Sequence, residues 1–289
     1  MRDEGEEVDV LVSVAVLAAA VLHASWNALA HGVRDKLLVF ALLNVAYLAC
    51  ALVLVCLAPL PDRAAWPYLA TSATLQVLYL VLLLQAYRLG DFGQMYPLAR
   101  GSSVWLVAIL STVLLGRPLP AGELVGVLVI SGGLAGLAFA DGLPRRDQLP
   151  ALAAALGTGV MIASYTLVDG TGVRQAGSVL GYVAWLFLLQ SPVLPLLVLA
   201  RRGRGVLAEL RPLCRRGLAG GVLSLVAYGL VVWAQSRAAL ATVAALRETS
   251  IVIAALIGTL VFHERLGRLR MAASGAVLAG IAVLELAHG

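Results

Sequence analysis

Charged residues, cysteines and aromatic residues are scarce in this sequence. Only 13% of its 289 residues are Asp, Glu, Lys or Arg, about half of what a soluble domain carries. The three cysteines show no metal-ligand spacing, and Cys50 and Cys56 lie too far apart along one helix to bridge. The acidic N-terminus lacks the basic region of a signal peptide, so we expect the first apolar segment to be retained. A disulfide scaffold and an ordinary soluble domain are excluded.

Apolar residues make up 61% of the chain. They form ten continuous stretches of about 20 residues, the length that a bilayer-spanning helix needs. The stretches are rich in Leu, Ala and Val and do not alternate, unlike the strands of an outer-membrane barrel. The sequence therefore predicts an all-α integral membrane protein with ten transmembrane helices in a lipid bilayer. Numbered one to ten, the segments are roughly 10–31, 37–58, 67–87, 93–115, 120–140, 149–169, 179–200, 217–236, 240–262 and 269–287.

Two arginines interrupt the apolar segments at matched positions. Arg100 lies in segment four and Arg247 in segment nine, 147 residues later. A charge in lipid is expensive, so it normally faces protein or water and serves a purpose. Two such charges at matched places point to a polar site between two halves of the chain. The same offset aligns Ser103 with Ser250, Thr112 with Thr259 and Gly133 with Gly280.

A second pair of similar segments supports an internal repeat. Residues 23–27, His-Ala-Ser-Trp-Asn, resemble residues 162–166, Ile-Ala-Ser-Tyr-Thr, at an offset of 139. The two offsets differ little, so the halves are about 1–143 and 144–289, each with five segments. Because five is odd, the second half enters the membrane from the opposite side. The prediction is two inverted five-helix repeats, an arrangement typical of transporters with a central site.

The chain resembles the drug/metabolite transporter superfamily, more narrowly an EamA-type permease. The resemblance rests on the two five-segment halves, the matched arginines, and the sequences directly after segments four and nine, which are called exits below. The exit at 262–267, Phe-His-Glu-Arg-Leu-Gly, is similar to the family's Gly-Glu-Arg-Leu signature, with His263 in place of glycine. The first-half exit departs further, since Arg117 and Pro118 stand where Glu-Arg is usual. The resemblance covers essentially the whole chain and implies a small-molecule permease.

The positive charges predict the orientation in the membrane. The net charge of +5 comes from arginines in short loops, which fix orientation and meet lipid headgroups and do not indicate nucleic-acid binding. Five basic residues flank the segments on the N-terminal side and fourteen on the other. The positive-inside rule then places the protein in the cytoplasmic (inner) membrane with both termini outside. Members of the family are usually described with both termini in the cytoplasm.

The intramembrane arginines are the first candidates for substrate binding. Arg100 and Arg247 would present positive charge to an anionic group such as a carboxylate; alternatively, each neutralises a carboxylate or caps carbonyls. Pro97 removes a backbone donor and is expected to open segment four locally. Tyr96 lies one turn from Arg100 on the same face. We expect a central cavity lined by segments one, three, four, six, eight and nine.

Glu248 and His23 are the candidates for proton coupling. Glu248 follows Arg247 directly, but adjacent helical residues do not face each other. A lone buried carboxylate must therefore pair elsewhere, for instance with Arg100, or take up a proton. His23 shares a helical face with Asn27, beside Trp26; these three either line the cavity, with Trp26 and Asn27 touching substrate, or make interhelical hydrogen bonds.

The function predicted is secondary transport of a small metabolite, through export of an amino acid or similar carboxylate by proton coupling or exchange. No phosphate-binding loop is present, so energy comes from a gradient. The main alternative is uptake of an organic anion or phosphonate; a channel or an intramembrane enzyme is remote, because zinc and serine-nucleophile signatures are absent. We expect no catalytic residue, metal or cofactor. Small-residue faces around Gly122–Gly126, Gly132–Gly136, Gly275 and Gly280 serve helix packing or a homodimer.

Overall fold

The computed structural model describes residues 2–30, 33, 35–116, 120–139, 146–260 and 268–288, and within them the chain forms helices and turns without strands. Two predicted features, the exits at 117–119 and 261–267, lie outside the described residues. The α-helices are α1 Arg2–Ala30, α2 Lys36–Leu57, α3 Trp66–Leu89, α4 Phe92–Leu115, α5 Ala121–Ala138, α6 Leu149–Val173, α7 Val179–Gln190, α8 Val193–Arg202, α9 Val206–Leu210, α10 Cys214–Gln235, α11 Leu240–Leu246, α12 Thr249–Leu260 and α13 Arg268–His288.

Where the structure describes them, all ten apolar segments consist of helices, which agrees with an all-α membrane protein. Within the described ranges, nine of the resulting units are long and apolar enough to cross a bilayer. The described side chains of the tenth, α13, form a shorter apolar stretch, Met271–Leu284. Segment eight begins earlier than expected, since Cys214 starts α10 and does not lie in a loop.

Two apolar segments are interrupted, although not where the sequence predicted. Segment seven consists of α7 and α8, separated at Ser191 and Pro192. Segment nine consists of α11 and α12, separated by Arg247 and Glu248. The predicted opening of segment four at Pro97 is wrong, because α4 is continuous through this residue. A proline removes only its own donor, and the surrounding helix retains its backbone hydrogen bonds.

The helices pack as a bundle in which α6 contacts α3 and α4, and α1 contacts α10 and α12. Outside this group α5 packs on α13, and α2 packs on α7 and α10. Glycine allows the close approach of α5 and α13: a Cβ on Gly126 would lie 2.7 Å from the Gly280 carbonyl oxygen, and a Cβ on Gly280 would lie 2.8 Å from the Gly126 carbonyl oxygen. This is the packing role predicted for small residues. The exposed Gly132, Gly136 and Gly275 would meet nothing within 4 Å.

Candidate functional site: a central cavity with two arginines

A cavity lies at the centre of the bundle. Its volume is about 120 Å³, below the range of about 300–1,000 Å³ that is typical of small-molecule sites. All six segments predicted to line it contribute, and α2 and α7 contribute as well. The lining residues with polar groups are His23, Trp26, Asn44, Tyr47, Gln76, Tyr79, Arg100, Tyr165, Gln190, Ser224, Tyr228 and Arg247.

Arg247 occupies the turn between α11 and α12. The turn is tight, since the Glu248 amide donates to the Ala245 carbonyl and the Ser250 amide donates to the Arg247 carbonyl, three residues back in each case. The half-buried Arg247 side chain lines the cavity beside Tyr165. No carboxylate of the described residues lies within ion-pair distance of it. Arg247 therefore presents to the cavity a positive charge that has no direct ion pair among the described residues, close to the positive N-terminal end of α12.

Arg100 lines the same cavity but is already paired. Its Nη2 lies 2.7 Å from Oε1 of Glu248, and its Nε donates to Oε2 at 3.3 Å. Both side chains are nearly inaccessible, with 8% and 2% exposure. This two-point pair is the structural alternative that the sequence left open for Glu248. It joins α4 in the first half of the chain to the broken segment of the second half.

His23, Trp26 and Asn27 form a local group on α1. The Trp26 indole nitrogen donates to His23 Nδ1 at 3.3 Å, and the two rings meet edge to face. Because an accepting Nδ1 carries no proton, His23 is neutral here and its Nε2 holds the hydrogen. His23 and Trp26 line the cavity. Asn27 does not, and its amide donates to the His23 carbonyl at 2.8 Å.

Tyr96 is half-buried near Arg100 and Glu248. It is not among the residues that line the cavity. The helical spacing correctly predicted its proximity to Arg100. However, a shared helical face does not determine which neighbouring helix covers a side chain, and Tyr96 is therefore at most an indirect part of the site.

Sequence reasoning missed Asp169, a fully buried carboxylate on α6. Its Oδ1 accepts from the Tyr182 hydroxyl at 2.9 Å, and its Oδ2 accepts from the Tyr228 hydroxyl and from Gln76 Nε2. Segment six was assigned an end at residue 169, so the aspartate resembled a boundary residue. The helix continues to Val173, and the small uncharged residues 170–172 could have indicated that Asp169 lies inside the membrane.

Comparison with a family model concerns the second half of the chain. Residues 149–286, from α6 to α13, match the model of the EamA-like transporter family. This match supports an EamA-type member of the drug/metabolite transporter superfamily. EamA proteins are membrane permeases of small molecules, and this chain is a multi-pass permease of that kind. The first-half exit, whose sequence departs from the family signature, lies outside the matched residues.

The fold is also found among solved structures. One crystal structure resembles this chain with a TM-score of 0.75 and 17% sequence identity, covering 95% of this chain and 98% of its own. At that identity the likeness concerns the fold alone. No curated protein matches the sequence.

Proposed function

We propose that this permease carries a small carboxylate such as an amino acid, and that it exports it by proton coupling or exchange. The observation that carries the proposal is Arg247, which lies on the wall of a central cavity and forms no ion pair with a carboxylate of the described residues. A positive charge inside a membrane protein is tolerated only if an anion or water interacts with it. An arginine fork matches the two oxygens of a carboxylate, which makes this group the best fit.

The rest of the lining suits the same ligand. Asn44, Gln76 and Gln190 supply amides, and His23 Nε2 supplies a donor. Trp26 adds an apolar wall for a side chain. In this proposal Arg247 binds the carboxylate directly and Arg100 adds a second positive charge held in place by Glu248. Tyr96 and Asn27, which do not line the cavity, support Arg100 and the α1 backbone respectively.

The helix contacts support the proposed division into inverted repeats, 1–143 and 144–289. Suppose that α1 to α5 correspond in order to α6, α7, α10, the α11–α12 unit and α13. Replacing both helices of a contacting pair by their counterparts then gives another pair that is also in contact. The pair α3–α6 becomes α10–α1, α4–α6 becomes α12–α1, and α3–α7 becomes α10–α2; α5–α13 and α2–α7 map onto themselves. Such a pairing favours alternating access, with one half rocking against the other around the central cavity.

The proposed orientation, in the cytoplasmic membrane with both termini outside, rests on the basic residues. Arg201, Arg202, Arg204, Arg215 and Arg216 all stand at the end of the bundle where α8 finishes and α10 begins. This is also the end where α2 begins, since Arg202 Nη2 lies 2.7 Å from Asp35 Oδ2. The positive-inside rule assigns this end to the cytoplasm.

A binding screen with matched variants tests the substrate class. Purified protein is melted in the presence of amino acids, organic acids or phosphonates, and hits are followed by counterflow in proteoliposomes. We expect stabilisation by an amino acid, loss of stabilisation in Arg247→Gln, and retention in Arg63→Gln, which changes an exposed arginine. Stabilisation that survives Arg247→Gln refutes the proposed binding mode. Selective stabilisation by organic anions or phosphonates favours the uptake alternative.

A further inference from the structure

We propose that Asp169 is the site at which this transporter binds the proton that it couples to substrate movement. The inference rests on the proposed transport function and gives the proton a site other than the two predicted from the sequence. Glu248 shares its charge with Arg100, and His23 Nδ1 is occupied by the Trp26 donor. Asp169 has no arginine, lysine or histidine of the described residues within ion-pair distance.

The surroundings of Asp169 consist of neutral groups from several helices. Ser72 and Gln76 face it from α3, Tyr182 from α7 and Tyr228 from α10, and Tyr165 lies one turn back on α6. On the α11 side, Leu240 packs at Gly170 and brings no titratable group. Towards the cavity, Tyr165 and Tyr228 lie near both Asp169 and the charge of Arg247, and Tyr165 also lies near Arg100. A buried carboxylate in such a neutral shell must keep all its donors or take up a proton.

The position of Asp169 allows exchange with the cavity. Two of its donors, Gln76 and Tyr228, line the cavity themselves, so one hydrogen bond separates the carboxylate from the solvent in it. In the other direction, Asp169 lies four residues before the end of α6, about 6 Å along the helix axis. The residue therefore lies between the cavity and the end of the bundle at which α6 finishes.

Protonation changes what the cavity presents. The ionised carboxylate accepts the hydroxyl hydrogen of Tyr228, and Tyr228 accepts from Gln76 Nε2 at 2.9 Å. When the carboxylate takes one proton from a hydronium ion that enters the cavity, an O–H bond of that ion breaks and leaves water, a new O–H bond forms on the carboxylate, and this group becomes a donor. The Tyr228 oxygen can then accept from it, which releases the tyrosine hydrogen towards the cavity for a substrate carboxylate. Return of the proton to water on the other side restores the first arrangement.

The same groups favour a proton over a metal cation. The hydrogen bonds from Tyr182, Tyr228 and Gln76 each present a hydrogen to the Asp169 carboxylate, and the one from Gln76 comes from an amide nitrogen. A hard cation requires several oxygen ligands, so it would have to displace this shell. A proton needs no such rearrangement.

Infrared difference spectroscopy tests the proposal without a known substrate. Wild-type protein in nanodiscs is compared between about pH 8 and pH 5, where exposed carboxylates remain ionised. We expect a carbonyl band of a protonated carboxylic acid at the lower pH. The band should be lost in Asp169→Asn, remain in Glu248→Gln and His23→Gln, and stay unchanged when sodium is replaced by choline. No band in the wild type, a band that persists in Asp169→Asn, or a sodium-dependent band overturns the proposal.

Two tyrosine variants test the proposal even if Asp169→Asn does not fold. Tyr182→Phe removes one donor to the carboxylate, and we expect the pH at which the band appears to move by about one unit. Tyr47→Phe is the matched control, because this tyrosine donates to Ser224 at 2.7 Å and not to Asp169. An equal effect of the two variants contradicts the assignment.

A transport arm separates this proposal from the proposed function. Proteoliposomes are loaded with a mixture of radiolabelled amino acids, and a pH difference is imposed. Asp169→Asn should exchange label normally but lose pH-driven accumulation, whereas Glu209→Gln, which changes an exposed carboxylate away from the cavity, should keep it. Full accumulation by Asp169→Asn overturns the coupling role. If wild-type vesicles move no label, the amino-acid substrate fails, while the infrared band still decides whether Asp169 binds the proton.

Discussion

The ion pair between Arg100 and Glu248 gives a prediction whose size follows from its geometry. The two side chains meet at 2.7 and 3.3 Å and are almost inaccessible. Removing one partner of such a pair leaves a buried uncompensated charge, which destabilises by about 3–5 kcal/mol. We therefore expect Arg100→Met and Glu248→Met each to lower the unfolding temperature by about 10 °C, at about 2–4 °C per kcal/mol.

The double variant separates a pair from two independent effects. With both residues changed to methionine no charge remains, and apolar replacement of a buried pair is close to neutral. The double variant should melt within a few degrees of wild type, giving a coupling energy of about 3 kcal/mol or more. The assay is thermal unfolding of purified protein, monitored by size-exclusion chromatography. Both side chains are buried within the protein.

A surface pair provides the control for this cycle. Arg202 contacts Asp35 and Glu209 at 2.7 and 3.3 Å, but about a third or more of each side chain is exposed. Solvent screening reduces such pairs to about 0–1 kcal/mol. Arg202→Gln should therefore change the unfolding temperature by only a few degrees at most. If the double Met variant melts no higher than the worse single variant, Arg100 and Glu248 do not act as a pair and the reasoning is wrong.

Three further outcomes are expected. Arg247→Ala should abolish counterflow of an amino acid while the protein still inserts; unchanged counterflow assigns this arginine to structure. Gly280→Ala should destabilise the protein by about 1–3 kcal/mol, because its Cβ would lie 2.5 Å from Ile130. Gly275→Ala has open space around it and should be neutral or stabilise the protein by about 0.5–1 kcal/mol. Equal unfolding temperatures of the two variants would contradict the packing of α5 on α13. A cysteine at Arg204 should resist impermeant reagents added outside intact cells, and labelling from outside reverses the orientation.

The sequence predicted the helices well because their cause is local. A run of about 20 apolar residues has few options in a bilayer other than a helix, and each predicted segment is helical in the structure. The ends were harder, since Arg215 and Arg216 looked like loop residues and lie in the first turn of α10. Charged residues at a membrane surface are compatible with both states.

The breaks and the pairings depend on contacts that the sequence does not display. Pro97 suggested an opening, yet α4 tolerates it, while the break at Arg247 and Glu248 contains neither glycine nor proline. The pairing of Glu248 with Arg100 was one of two alternatives, since either a partner or a proton satisfies a buried acid. Asp169 was missed because its donors come from α3, α7 and α10, which no local pattern brings together.

The turn between α11 and α12 has a thermodynamic consequence. Arg247 and Glu248 are consecutive residues, one facing the cavity and the other bonded to Arg100 on α4. A change of backbone angle at this turn moves both side chains, so a ligand that displaces Arg247 also alters the contact with α4. Occupancy of the cavity and the strength of the contact are then linked quantities. By reciprocity, if the ligand weakens the contact by a given factor, formation of the contact lowers the affinity for that ligand by the same factor.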